Sequence, residues 1–114
     1  MTTPDQRKLK RHRLIYYLTI FDASNEKEIG HLVDITLEGA GILSETPIPV
    51  GVQINLRIML PATFPDIDYF EIQAKSVRNS CDVNTSYYNI GFFFVNTSPD
   101  NHRIIEYLIS EYQL

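Results

Sequence analysis

A chain of 114 residues is the length of one ordinary domain, and an apolar fraction of 44% is enough to build a core. It holds no run of about 18 apolar residues, which excludes a membrane-spanning helix. A single cysteine, Cys81, excludes an internal disulfide and fits a reducing compartment, so a cytoplasmic protein is expected. The net charge of −4 conceals an asymmetry: residues 1–13 hold Arg7, Lys8, Lys10, Arg11 and Arg13 against Asp5 alone, leaving 5 basic and 13 acidic side chains for the rest. A basic arm on an acidic body points to a local anionic ligand and argues against a general nucleic-acid surface.

In residues 1–13 like charges repel and few apolar side chains, Leu9 among them, provide an anchor, so a flexible arm is expected there, with one domain over 14–114. Leu14 to Phe21 is rich in β-branched and aromatic residues and reads as a strand. Asp22 follows it where a secretory signal would place small residues, so no signal peptide is expected. Asp22 to Glu26 supplies turn chemistry, Glu28 to Ile35 reads as a returning strand, and Thr36 to Gly39 as a turn into a short strand at 40–43. Beyond Pro47 and Pro49, Val52, Ile54, Leu56, Ile58 and Leu60 alternate with mostly polar residues, as a strand with one buried face requires. Phe70, Ile72 and Ala74 continue such a pattern. Val77 falls out of phase with them, which predicts a bulge near Lys75 or Ser76.

Polar residues from Asn79 to Ser86 predict a turn, and Tyr87 to Val95 a last strand. The period then changes. Ser98 suits an N-cap, Pro99 the first helical position and Asp100 the positive helix end, while Ile104, Ile105, Leu108, Ile109 and Tyr112 share one face of a helix over 99–112. The expected fold is all-β with one C-terminal helix, a small six-stranded antiparallel barrel.

Two strings carry recognition chemistry. Arg7 and Arg11 stand four residues apart, and a guanidinium can both stack on a base and grip phosphate oxygens with its fork of donors. Lys8 adds charge without that fork. Taken alone, the arm is explained more simply as a solvated basic tail, or an anchor for anionic lipid or RNA, since short basic runs are common. In Asp34-Ile-Thr-Leu-Glu-Gly39 a carboxylate can accept paired hydrogen bonds from a guanine edge, Thr36 offers a hydroxyl, and Gly39 permits close backbone approach or a positive φ. A plain hairpin turn with Asp34 bonding local amides is the alternative.

Taken together, the two strings resemble the paired RxxxR and (D/N)xSxxG signatures of the PilZ domain family. The resemblance extends through Lys75-Ser-Val-Arg78 and Tyr88-Asn-Ile-Gly91-Phe-Phe-Phe94 to the closing helix. It implies a six-stranded barrel that binds the bacterial second messenger cyclic di-GMP, with Arg7 and Arg11 in the arm and Asp34, Thr36 and Gly39 in the turn as ligand-binding residues. Arg13, Lys8, Ala40 and Arg78 are secondary candidates. The chain departs from the pattern at Thr36, where serine is usual, at His12 and Arg13, which intervene between the second arginine and the first strand, and at Asn79, where relatives often carry an aromatic residue.

What the resemblance implies is a receptor whose arm orders over cyclic di-GMP and signals to an unidentified downstream protein. The alternative is a PilZ-like interaction adaptor that works without nucleotide. An enzyme is not expected, nor a cofactor or metal. His12, His31 and His102 lack metal-ligand spacing with one another or with Cys81, and neither a nucleophile elbow nor a P-loop nor a dinucleotide fingerprint is present.

Overall fold

Among the described residues six strands and a helix follow one another: β1 (His12–Asp22), β2 (Lys27–Ile35), β3 (Gly39–Ser44), β4 (Gln53–Met59), β5 (Tyr69–Cys81), β6 (Tyr88–Asn96) and α1 (Pro99–Tyr112). The structure, a computed structural model, describes residues 12–81 and 86–114. All strand pairings are antiparallel, and the sheet closes in the order β1-β2-β3-β6-β5-β4. Closure leaves no long free edge and encloses one core, in which Ile20, Leu32, Ile35, Leu56, Ile58 and Ile90 are wholly buried.

The strands form where the apolar period is two. In β4, Leu56 and Ile58 face the core while Gln53 and Asn55 face out. In β5 the inward series does not break at Ala74 as the sequence suggests. It continues through Ser76, which is fully buried, and Val77 is 53% exposed. The Ser76 hydroxyl donates to the Pro49 carbonyl at 2.5 Å and accepts from the Val52 amide at 3.0 Å, so the loop before β4 satisfies a polar group inside the barrel. The expected bulge exists, but at Val77, where the β5–β6 register shifts between Ser76 and Arg78. β5 also runs on to Cys81, because Asn79, Ser80 and Cys81 pair with Ile90, Asn89 and Tyr88; the turn expected from Asn79 therefore does not begin there. Pairing with a neighbouring strand overrides the weak strand preference of these polar residues.

The helix forms as its signals predict. The Ser98 side chain accepts from the Asn101 amide, Pro99 opens the first turn, and Ile105, Leu108 and Tyr112 are buried. Asn101 Nδ2 also donates to the Glu71 carbonyl at 2.7 Å, which ties the start of α1 to β5. On the outer face of β4 and β5, Arg57 Nε donates to Glu71 Oε2 at 2.8 Å and its guanidinium lies 5.0 Å from the Tyr69 ring centre. That hydrogen bond raises the Arg57 pKa above its ordinary value. Among the described residues no helix is long and apolar enough to cross a membrane.

Candidate functional site

Directly paired residues in a sheet share a face. Across five strands the register places Arg13 opposite Asp34, Asp34 opposite Gly41, Gly41 opposite Gly91, and Gly91 opposite Arg78. The residues beside this row, Leu14, Ile35, Ala40, Ile42, Ile90 and Phe92, are all buried, so the row lies on the outside of the barrel. A β2 bulge between Leu32 and Asp34 creates it, since without the extra residue Asp34 would point with Leu32 into the core.

The two glycines at its centre form a floor without side chains. A Cβ on Gly41 would lie 3.1 Å from Asp34 Cγ, so the carboxylate already fills the space a larger residue would take. A Cβ on Gly91 would lie 3.1 Å from both Cζ and Nη2 of Arg78, so that guanidinium lies over the glycine. Asp34 is only 8% exposed although it faces away from the core. A recessed anion thus stands in a row with two cations, and the Asp34 and Arg78 side chains cover the two glycines between them. Sequence reasoning gave no role to Gly41 or Gly91. The available signal was a glycine inside each of two strongly apolar strands, which marks close approach by another group.

The turn after β2 is built by Thr36. Its amide donates to the Gly39 carbonyl at 2.8 Å, and its Oγ1 accepts from the amides of Glu38 and Gly39, each at 3.0 Å. The hydroxyl oxygen thus serves the turn, and the threonine that stands in place of serine keeps both bonds. Gly39 does not adopt a positive φ; Gly51 is the one described glycine that does. Gly39 is needed because a Cβ there would run into the Phe92 carbonyl oxygen of β6. Strand packing by itself therefore requires a glycine there. Ala40 is buried and faces the core, so its side chain is not on the candidate surface. Arg13 belongs to β1, paired with Asp34, and Arg78 to β5 beside its bulge. Arg7, Lys8 and Arg11 lie outside the described residues.

Further along β2 and β3 a cleft of about 500 Å³ is bordered by Tyr17, Glu28, His31, Leu43, Glu45 and Tyr87. Two carboxylates, Glu28 and Glu45, make it a poor seat for phosphate.

Comparisons agree with this architecture. The family model for the PilZ domain matches residues 5–111. The E. coli YcgR PilZ domain solved with c-di-GMP is similar at a TM-score of 0.69 and 19% identity, covering 95% of this chain and 92% of that one. The Bacillus subtilis inhibitor of motility MotI/DgrA is similar at 0.72 and 15% identity, covering 91% and 50%. The K. pneumonia MrkH–c-di-GMP complex is similar at 0.72 and 19%, covering 94% and 52%, so the chain spans about half the length of these two proteins. No curated protein matches it significantly. With a family model covering nearly its whole length and a barrel that shares the fold of these structures, the chain belongs to the PilZ domain family.

Proposed function

We propose that the protein is a c-di-GMP receptor whose ligand lies on the Arg13–Asp34–Gly41–Gly91–Arg78 row and is closed over by the basic arm. The observation that carries this reading is the recessed Asp34 carboxylate in one outward row with Gly41 and Gly91, with arginines in the same row on both sides. A carboxylate accepts the paired N–H donors of a guanine edge, and arginine forks suit phosphates and stack on purines. The ligand meets both needs, with two guanines and two phosphates. YcgR and MrkH were both solved with c-di-GMP, which supports the same ligand class here.

His12 pairs with Ile35 and Arg13 with Asp34, so the described part of β1 begins beside the turn. In this reading Arg7 and Arg11 supply the remaining phosphate and stacking contacts, the arm orders when the dinucleotide neutralises it, and the new surface is read by a downstream protein. The role is binding, not catalysis.

Isothermal calorimetry with c-di-GMP tests this, with GMP, cyclic di-AMP and a short oligonucleotide in parallel. Selective heat with c-di-GMP supports the receptor. No heat with any nucleotide leaves the interaction adaptor, and heat with the oligonucleotide alone indicates a nucleic-acid binder.

A further inference from the structure

The root of β1 is held on both edges. β4 pairs only with Ile20–Asp22, at the far end of the strand. At the near end the two residues after α1 take that place. Leu14 and Gln113 form an isolated antiparallel bridge, the Leu114 amide donates to the Arg13 carbonyl at 2.6 Å, and His12 Nδ1 donates to Gln113 Oε1. Arg13 therefore sits between Asp34 on one side and Leu114 on the other.

The middle of β1 cannot impose that alignment. β1 advances from Arg13 to Leu18 while β2 retreats only from Asp34 to Leu32, so a wide irregularity separates the root from the regular part of the strand. The strap after α1 is itself fixed, because Tyr112 is buried, its hydroxyl is 2.7 Å from Thr63 Oγ1, and its ring centre is 6.0 Å from that of Tyr16.

The geometry points to Gln113 and Leu114 as positioning residues of the ligand site, holding Arg13 in register with Asp34 and coupling ligand to the seat of α1. This rests on the receptor reading above. Coupling of this kind is reciprocal, so a ligand that favours the Arg13–Asp34 alignment tightens the strap by the same factor by which the strap tightens the ligand.

Leu114→Pro removes the amide donor. Gln113, at φ −72° and ψ 140°, already has the extended backbone that a following proline demands, so the change adds no strain there. Gln113→Ala removes the side-chain bond to His12 and leaves the backbone unchanged. Leu114→Ala is the conservative variant that keeps the amide. Each is titrated with c-di-GMP alone and in an Arg13→Ala background, with amide exchange at Leu114 followed in the wild type. Losing one such bond is expected to weaken binding about fivefold in the proline and Gln113→Ala variants, with Leu114→Ala restoring it. In the Arg13→Ala background the same changes have little further effect, because the side chain they position is gone. Ligand also slows Leu114 exchange in the wild type. Wild-type affinity in both Leu114→Pro and Gln113→Ala overturns the inference and leaves the receptor reading standing. The same loss with and without Arg13 overturns it too, since it marks a general structural role. If the proline variant does not fold, Gln113→Ala decides. Absence of wild-type binding removes the inference and the reading together.

Discussion

Asp34 and Gly41 face each other across β2 and β3, and the Asp34 carboxylate occupies the volume that a side chain on Gly41 would need. The glycine therefore makes room for the carboxylate although it offers no functional group. Its neighbour in the row, Gly91, stands in the same relation to Arg78.

Gly41→Ala is expected to push the Asp34 carboxylate aside and weaken c-di-GMP binding by roughly 1–3 kcal/mol, the cost of misplacing a charged hydrogen-bond acceptor. The added methyl lies on the outer face, so stability in urea changes by less than about 1 kcal/mol. Calorimetry and urea unfolding of the same variant separate the two effects. Undiminished affinity would show that Asp34 does not bind from its recessed position.

Thr36→Ser keeps the acceptor for the Glu38 and Gly39 amides and is expected to match the wild type in stability and affinity. Thr36→Val removes it and leaves two amides short of a partner, at a cost of about 1–3 kcal/mol in urea unfolding. If Thr36→Val unfolds as the wild type does and loses only affinity, the hydroxyl serves the ligand and not the turn.

Ser76→Ala leaves the Pro49 carbonyl and the Val52 amide without their side-chain partner inside the barrel. A loss of about 1–3 kcal/mol in urea unfolding is expected, with affinity for the dinucleotide little changed. An unchanged unfolding midpoint would mean that water replaces the hydroxyl without cost.

The barrel and its helix were legible because their signals are local and repeated. Leu56 and Ile58 alternate with polar residues, and Ser98, Pro99 and Asp100 mark a helix start. The turn signature at Asp34–Gly39 was legible too, as a string. What the string hides is the division of labour inside it. Thr36 serves the turn and Gly39 the β3–β6 contact, while Asp34 lies in the outward row opposite Gly41. The Gly41–Gly91 floor and the strap at Gln113–Leu114 join residues far apart in sequence, and no short-range pattern reports such register. Ser76 was missed for a related reason: a buried serine breaks an apolar alternation until its loop partners are known.

Arg7→Ala and Arg11→Ala are each expected to weaken c-di-GMP binding by about 2–3 kcal/mol, the range for charge-assisted hydrogen bonds. Lysine at either position restores little, since a point charge lacks the planar fork. Titration of these four variants and of the double alanine variant checks this. Full affinity in the double alanine variant would remove the arm from the site.

The most direct test of the account is an amide chemical-shift map of the protein during titration with c-di-GMP. The account predicts that the largest shifts fall on Arg13, Asp34, Gly41, Gly91 and Arg78, with Arg7 and Arg11 moving alongside them, while Arg57 and Glu71 on β4 and β5 stay in place. Shifts centred on Arg57 and Glu71, or saturable binding that leaves the Asp34 row unmoved, would contradict it.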